Sequence, residues 1–168
     1  MTLKKSNITP NIHSRLSVQV SLTGLSFLVT DPDTREMLFF SEKKFNASRT
    51  PEELLLAIEE EIDQVEALQP IFEIVNVVYA NNVYSNVPTA LFDETKASEY
   101  LKFNSKILSN DYIAYDQLDS HDITVVYVPY VNINNYFFER YGTFKYYHAA
   151  TVLLDSILNI EKHSSTIK

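Results

Sequence analysis

Leu16-Ser-Val-Gln-Val-Ser-Leu-Thr-Gly-Leu-Ser-Phe-Leu-Val-Thr30 is the stretch that decides the fold. Leu16, Val18 and Val20 alternate with Ser17, Gln19 and Ser21, the two-residue period of a strand with one buried face. Thr23-Gly24 interrupts the run and Leu25 to Thr30 resumes it, so the segment reads as a hairpin. Asp31-Pro32-Asp33-Thr34 follows as a turn, with Pro and Asp in their usual turn roles. Met37-Leu-Phe-Phe40 opens a third strand that extends toward Phe45. Three strands joined by short turns make an antiparallel meander.

Downstream, the period changes. Thr50-Pro51-Glu52-Glu53 is a helix start: Thr50 can cap, Pro51 suits the first helical position, and Glu53 completes a capping box. Leu54, Leu55, Ile58, Ile62 and Val65 then recur three and four apart, opposite Glu59, Glu60, Asp63 and Glu66, which is an amphipathic helix ending before Pro70. Ile71 to Tyr79 reads as a strand apolar enough for the middle of a sheet. Val83 to Phe92 is extended and interrupted by Pro88, which places it at an edge.

Asp93 caps a second helix with Ala97, Tyr100, Leu101 and Phe103 turned inward. Residues 104–122 read as loop, with a short strand at Tyr112 to Tyr115. Ile123 to Val128 is a further buried strand. Asn132 is the expected cap of a helix through Tyr141, stopped by Gly142 in the left-handed cap role. Phe144 to Tyr147 is a short extended piece. Ala149 to Ile160 is a last helix, expected to bury Val152, Leu153, Ile157 and Ile160. The domain reading is a flexible N-terminal tail (1–15), one lobe (16–160) and a flexible C-terminal tail (161–168). The fold class is α/β: a mixed sheet with a leading antiparallel three-strand meander and flanking helices.

Composition narrows the chemistry. Only two glycines occur in 168 residues, and cysteine is absent. Neither G-x-G-x-x-G nor a Walker loop can be written around Gly24 and Gly142. Thiol catalysis, thiolate metal sites and disulfides are excluded. The net charge of -8 opposes general binding to phosphate backbones or anionic membranes. No apolar run reaches the ~20 residues of a membrane span. The basic N-terminus lacks the apolar stretch of a secretory signal, so the expected location is the cytoplasm, and the sequons at Asn7 and Asn46 carry no weight.

The strand–strand–strand–helix–strand order has the opening pattern of a ribonuclease-H-like lobe. Read with Val18 to Thr30 and with Tyr84-Ser-Asn-Val-Pro-Thr-Ala-Leu-Phe-Asp-Glu-Thr-Lys-Ala-Ser-Glu-Tyr-Leu-Lys-Phe103, the chain resembles an uncharacterised bacterial family with an actin-like ATPase fold. Val125-Val-Tyr-Val-Pro129 and Tyr147-His-Ala-Ala150 fit the same pattern. The resemblance runs from Leu16 to Leu158 and matches the N-terminal half of that family. It implies a single actin-like lobe, akin to the assembly-platform and cell-division relatives of actin.

Such proteins place an Asp late in the first strand, where it holds a metal ion near the hairpin glycine. This chain has Ser21 there, and Mg²⁺ favours charged carboxylate oxygen. Thr23 and Gly24 remain as phosphate-contact candidates, against a plain turn role for the glycine. The second lobe of an actin-like cleft, with its phosphate and adenosine loops, has no counterpart in these residues.

Other candidates are sparse. Asp116-Gln-Leu-Asp119-Ser-His121-Asp122 is a carboxylate and imidazole cluster whose spacing matches no metal motif, and it reads as a surface loop. Asp31 and Asp33 read as turn formers. His148 opens the last helix among aromatics and reads as a packed or surface residue. No nucleophile elbow can be written. The segment Tyr127 to Tyr147 holds nine aromatics, more than one helix face can bury. Tyr130, Tyr136, Phe137, Tyr141, Phe144, Tyr146 and Tyr147 are therefore partner-interface candidates, or packing for a second lobe. Only Arg140 and Lys145 lie among them, which argues against nucleic acid.

The expectation is an actin-like lobe acting as a non-catalytic interaction or scaffold module, with no cofactor or metal and with a protein partner or the missing lobe as its counterpart. The alternative is half of a nucleotide-binding ATPase. A metal nuclease built on Asp31, Asp119 and Asp122 is a third reading.

Overall fold

A computed structural model describes residues 2–6, 13–102, 106–107 and 111–165, with side chains described for 13–102, 106–107 and 111–160. The Asn7 sequon and Phe103 lie outside the described residues. The chain divides into two compact units, Met1–Ala80 with Tyr130–Tyr146 and Asn81–Pro129 with Tyr147–Lys168.

The first unit is built on a six-stranded mixed sheet. Its strands are β1 (Thr2–Ser6), β2 (Arg15–Ser21), β3 (Gly24–Thr30), β4 (Met37–Lys44), β5 (Ile74–Tyr79) and, farther along the chain, β9 (Lys145–His148). They lie in the order β1-β4-β3-β2-β5-β9. The antiparallel meander β2–β3–β4 is as expected, and β5 returns parallel to β2 after a helical crossover. Register follows the hydrophobic pattern: Val18 lies opposite Phe27 on one side and Val77 on the other. A one-residue slip would move every core side chain to the opposite face. Leu16, Val18, Val20, Leu25, Phe27, Val29, Val75, Val77 and Tyr79 are all buried. The polar stretch expected to be a loose tail instead supplies β1, which pairs with β4.

Helix α1 (Pro51–Gln64) starts as the sequence requires, with the Thr50–Glu53 capping box formed in both directions and Pro51 in the first turn. Leu54, Ile58 and Ile62 are buried along one stripe. Glu61 shares that stripe and accepts a 2.9 Å hydrogen bond from the Ser41 hydroxyl of β4. Helix α3 (Val131–Tyr141) buries Ile133 and Phe137. Its cap position is Tyr130 rather than Asn132, whose Nδ2 instead donates to the Pro51 carbonyl and ties α3 to α1. Gly142 ends the helix at φ 73°, ψ -121°. That lies outside the left-handed helical region expected of it, in territory open essentially to glycine.

The second unit carries a three-stranded antiparallel sheet of β6 (Tyr84–Pro88), β7 (Ala114–Leu118) and β8 (Ile123–Tyr127), ordered β6-β8-β7. The segment with Pro88 does sit at an edge. Asp93 caps a single 3₁₀ turn that leads into α2 (Ala97–Lys102). Val87, Leu101 and Val126 form the local core, with Phe92, Tyr100 and Ile113 packed on it. Helix α4 runs Ala149–Ser165, past the expected end at Ile160 and into the expected tail. Strand β7 begins near the expected strand but continues through Asp116 to Leu118, so Asp116 belongs to a strand and not to a surface loop.

Candidate functional site

The hairpin bend carries the two phosphate-contact candidates expected from the sequence, Thr23 and Gly24. Leu22 and Thr23 form a two-residue turn between paired Ser21 and Gly24. The Ser21 hydroxyl donates to the Gly24 carbonyl at 2.9 Å and accepts from the Thr23 N–H at 3.3 Å. Phe45 N–H donates to the Thr23 carbonyl and Arg49 N–H to the Leu22 carbonyl, tying the bend to the segment leading into α1. A cavity of about 390 Å³ lies beside it, lined by Gln19, Ser26, Glu42, Lys43 and Lys44 among others. Lys43 already pairs with Glu60 at 3.2 Å and Lys44 with Glu42 at 3.6 Å.

Gly24 is required here by proximity rather than by φ: a Cβ at this position would sit 2.9 Å from the Lys43 carbonyl oxygen on the neighbouring strand. Gly24→Ala is expected to destabilise the first unit by about 1–3 kcal/mol through this overpacking. Urea denaturation of the variant checks it. Unchanged stability would mean that β4 yields to the methyl group.

The aromatic segment is largely packed on itself. Phe137 is fully buried, with the Tyr136, Tyr141 and Phe144 rings at 5.6, 5.9 and 6.0 Å. Tyr79 meets Tyr130 edge-on at 5.5 Å and Tyr146 at 6.4 Å. Its hydroxyl donates to Asn134 Oδ1 at 2.6 Å. Burial raises the Tyr79 pKa, as it does those of Tyr136 and Tyr141. Tyr130, Tyr136, Tyr141, Phe144, Tyr146 and Tyr147 are all half-buried, and Phe138, absent from the expected set, is 65% exposed.

Sequence reasoning missed a second constellation, centred on Asp116. Its carboxylate accepts from the Tyr127 hydroxyl at 3.0 Å, the His148 N–H at 2.8 Å and the Thr151 hydroxyl at 2.6 Å. Burial raises the Asp116 pKa, and these hydrogen bonds act in the opposite direction. His148 lies against the Tyr84 and Tyr127 rings at 4.4 and 5.3 Å. Its Nδ1 accepts from the Ala150 N–H, which leaves Nε2–H to donate to the Asn81 carbonyl at 3.1 Å. That arrangement needs a neutral ring, and burial holds the His148 pKa below its ordinary 6.5.

A histidine with a lowered folded pKa contributes stability that is present above the unfolded value and lost as pH falls through it. Asp116, shifted upward, acts in the opposite sense, with its contribution present below 3.8 and lost as pH rises through the folded value. The urea midpoint of the second unit is therefore expected to drop as pH falls from about 7 toward 5, within the histidine range. His148→Gln should flatten that slope. A slope unchanged in the variant would assign it elsewhere.

The remaining candidates are structural. Asp31 Oδ1 accepts from the Asp33 and Thr34 N–H groups, the turn role expected of it, and the backbone bond from Thr34 lowers its pKa. Asp122 adopts φ 55° in the β7–β8 connection. Among the described residues, no three His, Asp or Glu side chains gather as a metal ion requires. The nuclease reading thus has no ligand set among them.

Helix α4 departs most from expectation. Val152, Leu153, Ile157 and Ile160 are 41%, 61%, 59% and 66% exposed, whereas the sequence pattern placed them in the core. Among the described side chains of the helix, Thr151 is the buried one, with Leu154 and Leu158 half-buried on the same stripe. Over Ala149–Ile160 the helix therefore carries two apolar stripes and covers only one.

Comparison with known proteins addresses the fold. A family model described as "Protein of unknown function (DUF3822)" matches residues 4–168. A crystal structure from Bacteroides thetaiotaomicron, described as a protein with actin-like ATPase fold and unknown function, superposes with a TM-score of 0.76 at 20% identity. The match covers 88% of this chain and 56% of that one, so the chain spans little more than half of its structural neighbour. No curated protein matches. Among the described residues, no helix is long and apolar enough to cross a membrane.

Proposed function

This chain belongs to the DUF3822 family of proteins of unknown function, and from that premise we propose that it is a non-catalytic interaction module, an actin-like lobe that docks a second protein lobe through α4. The exposed stripe Val152, Leu153 and Ile157 carries this reading. A helix apolar on two sides is stable in water only when both sides are covered. Each such side chain gains about 1.5–3 kcal/mol on full burial, which makes the stripe a strong driver of association. At the hairpin bend, Ser21 spends its hydroxyl on the turn itself, and the carboxylate lining the cavity beside it, Glu42, is paired with Lys44.

The test places a photo-crosslinking amino acid at position 157 and a control at position 33, in cells of the source organism. We expect a discrete adduct from 157 alone, abolished by Leu153→Glu. Equal labelling at both positions, or none, overturns the proposal.

A second reading, half of a nucleotide-binding ATPase, is favoured by the match to only 56% of the neighbour's chain. Calorimetric titration with ATP and Mg²⁺ separates the two. Micromolar binding to this chain would support the ATPase half and end the non-catalytic reading.

A further inference from the structure

The second unit holds a cavity of about 590 Å³ whose walls are two elements side by side. One wall is β7, through Tyr115, Asp116, Gln117 and Leu118; the other is α4, through Thr151, Val152, Asp155 and Ser156, with Tyr147 closing one end. Successive strand residues point to opposite faces of a sheet. A cavity touching four in a row therefore runs along the strand's edge rather than over either face.

That edge is open. In the order β6-β8-β7, β7 has a strand neighbour on one side only. Among the described residues, no main-chain hydrogen bond outside the β7–β8 ladder reaches Ala114–Leu118. An antiparallel ladder engages alternate residues, so the others turn their N–H and C=O groups outward, into the groove. The opposite wall is fixed in place, because Asp116 holds both the His148 N–H and the Thr151 hydroxyl where α4 begins.

The electrostatics select among occupants. Two carboxylates, Asp116 and Asp155, line the groove, and no Lys or Arg does. All three donors to Asp116 are neutral, and Asp155 accepts from the Asn159 amide. No ion pair among the described residues neutralises either of them. Tyr115 and Val152, partly exposed, add apolar surface beside the charge.

We infer that the β7–α4 groove binds an extended peptide that adds as a further strand to β7 and presents Lys or Arg to Asp116 and Asp155. Main-chain bonds to the open edge give the segment its purchase, and alternate side chains facing the carboxylates give preference. Four strand residues span about 13 Å, enough to register two such side chains. This site shares Val152 with the outer stripe of α4 but not Leu153 or Ile157, and its occupant is a short segment rather than a folded lobe.

The probe is the acetylated, amidated heptapeptide Thr-Val-Lys-Val-Arg-Val-Thr. Its controls are the same peptide with Glu for both basic residues and an analogue N-methylated at alternate amides. Nuclear magnetic resonance titration of the full chain is expected to shift the amides of Tyr115–Leu118, and hydrogen exchange to slow the outward-facing ones. The acidic and N-methylated peptides should each bind at least about tenfold more weakly. Asp155→Lys, on the α4 wall and outside the Asp116 network, should reverse the preference between basic and acidic peptides.

Leu153→Glu with Ile157→Glu should leave peptide binding unchanged, so failure at α4's outer stripe and failure at the groove are distinguishable. Shifts confined to other residues, equal binding of the three peptides, or β7 shifts on raising the protein concentration without peptide (a second copy in the groove) would each overturn the proposal.

Discussion

A chain carrying Asp116→Ala is expected to lose about 3–5 kcal/mol of stability in its second unit, near the upper end for a single substitution. Three donors lose their acceptor at once: the Tyr127 hydroxyl, the His148 N–H and the Thr151 hydroxyl. Tyr127, His148 and Thr151 are all buried. A buried donor left unpaired costs about 1–3 kcal/mol, and some of this is recovered if water enters the space vacated by the carboxylate. Asp116→Asn keeps one acceptor oxygen and should cost roughly half as much. Amide exchange at Val125–Tyr127 reads the effect directly, with Val18 and Phe27 in the first unit as internal reference. Native-like protection of β8 in the alanine variant would show that these bonds contribute little.

The second large effect belongs to the first unit. Phe137→Ala should cost about 3–5 kcal/mol, the range for emptying a buried aromatic site. Phe137 is fully buried and serves as the shared neighbour of the Tyr136, Tyr141 and Phe144 rings. Its removal therefore loosens three partners as well as leaving a void. Phe138→Ala, one residue along and largely exposed, should change stability by no more than about 0.5 kcal/mol. The pair of urea midpoints makes the comparison within a single helix turn. If the two variants unfold alike, the assigned facing of α3 is wrong.

What the sequence showed and what it hid divides by the distance over which each contact forms. The hairpin at Thr23-Gly24 and the capping box at Thr50–Glu53 are settled by neighbours within a few residues, and both were legible. The role of Asp116 was not. Its partners lie 11, 32 and 35 residues away, and the surrounding Gln, Ser and Asp residues have the composition of a loop. Gly24 reads as a turn residue, but its requirement comes from the Lys43 carbonyl of the next strand.

Helix α4 misled for a different reason. Of its two apolar stripes, Thr151-Leu154-Leu158 and Val152-Leu153-Ile157-Ile160, the second is the richer, so the hydrophobic pattern assigns it to the core. It is the one left outside. The groove beside β7 could not be read at all, since an open strand edge is a property of pairing and not of composition.

The interleaving of the two units bears on how the protein emerges from the ribosome. The first unit's residues stop at Ala80 and resume only at Tyr130, with β9 supplied last, up to Tyr146. At a translation rate of ~5–20 residues per second, the stretch from Ala80 to Tyr146 keeps that sheet waiting for roughly 3–13 s. During this interval the apolar strand Ile74–Tyr79 has one bare flank, a natural docking point for a chaperone. A nascent chain stalled before residue 130 should be more prone to misassembly than one released at its end.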